Sequence, residues 1–488
     1  MKKVTVFLLA AVLALGLLAG CGGDSTPANS DTLTIMGSIK TENLDSLVGT
    51  PHDPNLMSSV FGALIRRGEN GLEPGIIEKW ELSADGLTTT FTIRSGVKFS
   101  DGSDFTADDV IFSFDKMNED PMMAYGVGKY TWAKVDDLTF TMTAESPLSS
   151  PADTISTLFI APSDAYDPSA FVKSPIGAGP YKIDGIDADG TVNLSVNEHY
   201  YGEKPHYAKL VIKAPLNAAA AVIALQNGEV DILQNVAPDQ LTLVRNDDSL
   251  ELRETTGYVA TGVWFYGPLK DDINLRFAIA HAIDREKLVQ IACSGEAAVS
   301  ENLLAAKTLG SLAGTVPMPG YDVEKAKEYL AKSNYQEGGV LTLTVADKPA
   351  DAQCIMEDLK AVGITVEIEQ MDMNSFYQAS ANGNLGMCIM SNGAELATTA
   401  GLLLNFSSER GEDFVCTPEC DELIAQYRAE PDEAKREVLY QQVLELQAEY
   451  CNIAPLYEAN GNICYRKGIE GITDYSAVAS YLYPENIK

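Results

Sequence analysis

Apolar residues recur in three rhythms along this chain, and each rhythm predicts a different structure. An unbroken run, Val4 to Leu18, follows Lys2 and Lys3; it has the length of a secretion leader and is short for a bilayer span. Alternation with a period of two predicts strands at Thr32–Met36, Trp80–Leu82, Leu87–Arg94, Leu138–Thr143, two runs within Tyr181–Val196 and Lys209–Lys213, and the largely apolar run Val259–Tyr266 reads as a further strand. A period near 3.6 predicts helices at Asn55–Arg66, Val110–Met117, Ala218–Asn227 and Asn274–Asp284. Asp85-Gly86 and Asp101-Gly102 supply the backbone freedom that tight reversals need, and Thr106 to Asp109 reads as a helix start. Asp231 and Ile232 open one more short apolar run.

Beyond residue 320 the two periods alternate. Helices are expected at Val323–Lys332, Asp351–Val362 and Asn374–Ala381, with strands at Val340–Ala346 and Ile364–Ile368, so this half predicts an α/β layer structure. Glu422 to Tyr450 is helical with a break at Pro431, and short apolar pieces follow at Ile453–Tyr457 and Ile469–Ile472. Gly22 to Ser30 is rich in Gly, Ser, Thr, Pro and Asn, which predicts a flexible tether with a root-mean-square span of roughly 15 to 18 Å.

The chain has 488 residues, is 45% hydrophobic and carries a formal charge of -34. That length allows more than one domain with a large core. A surface this acidic repels phosphate backbones, which sets nucleic acid aside as a partner. Eight cysteines are present. Cys416 and Cys420 are close enough in sequence to bridge, while Cys293, Cys354, Cys388, Cys451 and Cys464 lie scattered in apolar surroundings and are expected as buried thiols. His52, His199, His206 and His281 are far apart, so no metal site and no cofactor is expected. Nucleophile-elbow, zinc-helix, phosphate-loop and dinucleotide motifs are missing, and no enzyme activity is expected. A surface hydrolase working through two carboxylates stays open as an alternative in so acidic a chain.

Leu18-Ala19-Gly20-Cys21 resembles the cleavage box of bacterial lipoproteins, which implies removal of residues 1–20, acylation of Cys21 and a body held outside the membrane by a lipid anchor. The stretch Trp80 to Gly102 resembles a signature of the family 5 extracellular solute-binding proteins, which serve ABC importers. The likeness continues in Phe105-Thr106-Ala107-Asp108-Asp109-Val110-Ile111-Phe112-Ser113-Phe114, in Gly177-Ala178-Gly179-Pro180-Tyr181 and in Asp271 to Arg285. From the residues alone, Trp80, Phe91 and Phe99 are core anchors, and the two Asp-Gly pairs are turns.

The resemblance implies an α/β fold, a two-lobed clamp like the periplasmic binding proteins, with a hinge and a subdomain inserted in the first lobe. It places lobe I at 31–60, 172–260 and 466–488, the insertion at 61–171, lobe II at 261–465 and the lipidated tether at 21–30. It further implies a monomer that captures a peptide or related small solute between closing lobes and delivers it to an ABC permease. A nickel-chelate or other non-peptide binder and a peptide-sensing signalling lipoprotein are the alternatives.

Family members line the pocket with the turn after the first strand, here Gly37-Ser38-Ile39. They also use the aromatics ahead of the Asp-Asp helix, here Trp264, Phe265 and Tyr266, and a loop of the second lobe. By the period of two, Trp264 and Tyr266 share a strand face; core packing explains them as readily as solute contact. Peptide-binding members carry an aspartate in the second-lobe loop. The corresponding stretch here, Cys388 to Glu395, has none, although Glu395 stands one register away, and residues 373–394 hold no charged side chain. Met390, Asn392 and Glu395 are the expected contacts in this stretch, with Asn382, Asn384 and Ser391 as further neutral hydrogen-bonding groups. A free ammonium in that loop would lack a counter-ion.

Overall fold

Two long strands organise the molecule. In the computed structural model, Leu250–Phe265 and Ile453–Arg466 pair antiparallel along almost their whole length. The structure describes residues 31–488 except 38, 40, 42, 49–53, 69–70, 121–122, 124–126, 128–129, 149, 157, 216, 347, 382–383, 394–405, 409–414 and 473–481. The expected leader, Cys21, the tether, Ser38, Asn382 and Glu395 thus lie outside the described residues.

Other strands add to the two long ones from opposite ends. The large sheet runs in the order Thr365–Gln370, Val340–Val345, Met387–Gly393, Leu250–Phe265, Ile453–Arg466, Ile232–Gln234, Thr32–Met36, Lys209–Lys213, Val192–Val196 and Tyr181–Ile186; Ala297–Val299 pairs off the path. The pairing shifts register between Thr255 and Val259 and again between Thr261 and Gly262, so irregular backbone interrupts the ladder midway. The cores follow this division. Leu250 and Cys464 pack with Met36, Val222 and Leu233, and Ile463 and Tyr465 pack with Leu33 and Ile35. Val263, Phe265, Ala454 and Leu456 pack instead with Ile279, Leu288 and Ile355. The second crossing strand therefore passes from one core to the other between Leu456 and Ile463.

The insertion carries a four-stranded antiparallel sheet ordered Ile77–Leu82, Thr88–Ile93, Thr139–Ala144 and Tyr130–Asp136. Phe91 stacks on Phe140 with ring centroids 5.1 Å apart, and both join the core that contains Leu33 and Ile35. Phe91 and Phe99 are fully buried and Trp80 packs partly buried against them, as core anchors should. Gly86 and Gly102 have φ of 72° and 89°, the left-handed turns that Asp-Gly implied. Thr106 and Asp109 form a reciprocal capping box on the helix Ala107–Glu119. The Asp271 to Arg285 motif is also structural. Asp272 caps the helix Ile273–Ala282 through Leu275 N at 3.0 Å, and buried Arg276 donates to the carbonyls of Leu269, Lys270 and Tyr450 at 2.6 to 3.0 Å.

Some expected elements change. The helix expected at 55–66 ends at Phe61, because Gly62 takes φ 75°, and Ile65–Gly68 pairs with Gly71–Pro74 as a hairpin. Each crossing strand is longer than its apolar half predicts, since Leu250–Thr255 and Glu458–Asn462 carry polar side chains into the sheet. The seven cysteines after the tether have free thiols, and all but Cys416 are buried.

Candidate functional site

Parallel strands of the two lobes run toward one another beside the crossing strands. Thr32–Met36 and Ile232–Gln234 run parallel and point toward the second lobe. Val340–Val345 and Met387–Gly393 run parallel to each other and antiparallel to Leu250–Phe265, so their carboxyl ends point back toward the first lobe. In open α/β sheets ligands bind outside such ends, where no strand continues and backbone groups face the crevice.

On the first-lobe side, Gly37 follows its strand and donates its N–H to the Lys213 carbonyl at 3.0 Å. A Cβ there would come within 2.5 Å of Gln234 Oε1, so any side chain at this position would displace the Gln234 carboxamide. Gln234 Oε1 accepts from Asn55 Nδ2 at 3.2 Å, and Asn55 Oδ1 accepts from Leu482 N at 2.6 Å. Ile39 is half-buried against the first-lobe core. Asn462, on a crossing strand, bonds the amide of Val236 in both directions at 2.7 and 3.1 Å and fixes the segment that leaves Gln234.

On the second-lobe side the register decides which side chains share a face. Trp264 lies opposite Cys388 and Ile453, Gly262 opposite Met390 and Pro455, and Ala260 opposite Asn392 and Glu458. Directly paired residues point to the same side of a sheet. Trp264, Met390, Asn392 and Glu458 therefore share one face, and Tyr266 packs in the same cluster as Trp264, as the period of two implied. Both aromatics are 1% exposed, among Leu303, Leu304, Phe376 and Phe406. The Tyr266 hydroxyl reaches Met390 Sδ at 4.0 Å. Phe265 points the other way, into the core with Val263, and so leaves the expected set of lining aromatics. Met390 is half-buried and Asn392 buried. Ser391 faces away and shares a 2.9 Å hydroxyl contact with Thr261. Asn384 is exposed, and its N–H bonds the Ala379 carbonyl, which closes a helix end.

Two groups escaped sequence reasoning. Glu458, one of 69 acidic residues, is buried on the Trp264 face and accepts from Ser300 Oγ, Asn302 Nδ2 and Ala306 N. Arg245 joins the lobes. From the first-lobe helix Leu241–Arg245 it holds both Glu254, on a crossing strand, and Glu296, beside Ala297–Val299, with shortest contacts of 2.7 Å each. These hydrogen bonds, to Glu296 foremost, raise the guanidinium pKa, and Arg245 in turn lowers that of Glu296. Neither residue belongs to a sequence motif. Away from the gap, a first-lobe cavity of about 480 Å³ is lined by Arg66, Arg94, Tyr201 and Glu485; Arg66 pairs there with Glu485 at 2.7 Å.

Comparison with known proteins points the same way. The family described as bacterial extracellular solute-binding proteins, family 5 Middle, matches residues 71–414. The dipeptide-binding protein of Escherichia coli (strain K12) is 28% identical over 443 residues, covering 81% of this chain and 82% of the relative. The periplasmic binding protein AgaA from Agrobacterium R10, solved with agropinic acid, superposes with a TM-score of 0.82 at 22% identity, covering 94% of this chain and 98% of its own. DppA from Helicobacter pylori, solved with the peptide STSA, gives 0.82 at 21% identity, with 93% and 97% covered.

Proposed function

Because this chain belongs to the bacterial extracellular solute-binding proteins of family 5, we propose that it captures a small solute between its lobes and delivers it to an ABC permease without altering it. The observation that carries this reading is the pair of crossing strands, interrupted midway by register shifts, with parallel strands of both lobes directing their carboxyl ends toward one another beside them. Such connections act as hinges. A solute touching both lobes favours the closed state by its differential affinity for that state and by nothing else. Closure is then the signal a permease reads.

Peptide is the leading solute, supported by the dipeptide-binding relative and by the neighbour solved with STSA. A non-peptide solute is the second reading. The agropinic acid complex supports it, as does the lack of charge at residues 373–394. Cys21 anchors the body to the membrane by lipid, and Cys21→Ser releases it to the soluble fraction. The solute is tested by denaturing protein purified from its own cells and examining the extract by mass spectrometry. Peptides are expected in that extract, and a single non-peptide compound would replace the leading reading with the second.

A further inference from the structure

Arg94 brings a half-buried guanidinium to a cavity and has no acid to hold it. It follows the strand Thr88–Ile93, and its backbone N–H donates to the Ile76 carbonyl at 2.8 Å. Of the five N–H donors of its side chain, the one on Nε reaches the Gly75 carbonyl at 3.3 Å, and the four on the terminal nitrogens meet no acceptor among the described residues. Glu485 lines the same cavity but is held by Arg66 at 2.7 Å. The other charged lining groups, Lys488 and Glu203, are exposed and opposite in sign.

The cavity lies at the end of the first lobe remote from the crevice. Lys209–Lys213 runs parallel to Thr32–Met36 and Val192–Val196 runs antiparallel to both, so the turn with Tyr200 and Tyr201 follows the strand end that faces away from the second lobe. Three stretches distant in sequence meet there: the hairpin strand Ile65–Gly68 with Arg66, the Tyr200–Tyr201 turn, and the last turn Pro484–Asn486 with Glu485. Aromatic faces hold both guanidiniums, with Arg66 Cζ 4.0 Å from the Tyr483 ring and Arg94 Cζ 5.5 Å from the Tyr201 ring. Its volume of about 480 Å³ is that of a small-molecule site, for which clefts of about 300–1,000 Å³ at junctions between folded pieces are usual.

We propose that this cavity is a second binding site, which takes the carboxylate or phosphate group of a small molecule on the open fork of Arg94 and fastens the Arg66 hairpin to the Tyr201 turn. Paired N–H groups in one plane match the two oxygens of either anion. All lining residues come from the first lobe, so the site needs no closure and stands apart from the import reading.

Calorimetric titration of the full-length protein with succinate and with inorganic phosphate, each against sodium chloride of equal ionic strength, tests this. At least one of the two anions should bind with one-to-one stoichiometry and raise the melting temperature above the chloride control. Tighter succinate assigns a carboxylate ligand, and tighter phosphate assigns a phosphate ligand. Arg94→Met should weaken that binding at least tenfold while circular dichroism shows the fold retained. No binding of either anion by the wild type beyond chloride overturns the inference, and so does unchanged binding by folded Arg94→Met. If that variant does not fold, a wild-type crystal grown with the tighter anion decides. The anion within hydrogen-bond distance of the Arg94 terminal nitrogens is the expected result, and its absence from that cavity overturns the inference.

Discussion

Trp264 is 1% exposed and shares a cluster with Leu304 and Phe406, so its first duty is packing. Truncating a buried aromatic of this size costs about 3–5 kcal/mol through lost transfer energy and a cavity. Trp264→Ala should therefore shift the urea unfolding midpoint strongly downward; a loss below about 1 kcal/mol would mean that the indole faces the gap and not the core. The buried thiols make a second prediction. Burial pushes Cys293 up to about 11 and Cys451 and Cys464 up to about 12, from an ordinary 9.0. In the unfolded chain these thiols ionise near pH 9 and in the folded one they stay neutral, so stability is intact below pH 9 and falls as pH rises toward 12. Denaturation at pH 8 and pH 10 checks the sign, and a midpoint that rises at pH 10 contradicts it. Single residues were unevenly legible. Trp80, Phe91 and Phe99 announced themselves by type and spacing, whereas Glu458 is chemically ordinary in so acidic a chain and gains meaning only from the strands that bury it.

The crossing strands show what periodicity can and cannot reveal. Val259–Tyr266 and Ile453–Tyr457 were readable because they are apolar on both faces, being covered on both faces by the second-lobe cores. Their continuations Leu250–Thr255 and Glu458–Asn462 pair in the sheet while carrying polar groups, so no apolar rhythm marks them. The helix at Pro54–Phe61 was readable, but its end depended on one glycine with a left-handed φ. Arg245 acts at this scale, tying a first-lobe helix to both a crossing strand and the second lobe. Exposed ion pairs contribute about 0.2–1 kcal/mol each and weaken with salt. Arg245→Met should lower the melting temperature modestly at low ionic strength and very little in 0.5 M salt, by scanning calorimetry. A loss that salt leaves unchanged would show that Arg245 supports the lobe junction by packing of its stem.

At the scale of the whole molecule, the two-lobed architecture was legible through resemblance, because Trp80 to Gly102 and Asp271 to Arg285 are framework motifs whose turns, caps and buried arginine the structure accounts for. The solute was not legible, since a framework is shared by relatives named for different cargoes. A formal charge of -34 keeps the body soluble and does not choose a ligand. The central claim is mechanical: a solute held by both lobes draws them together about Leu250–Phe265 and Ile453–Arg466. Small-angle X-ray scattering of the full-length protein, stripped of ligand and then saturated with the solute extracted from it, measures this directly. The account predicts a smaller radius of gyration in the saturated sample. Superimposable profiles from the stripped and saturated samples would contradict it.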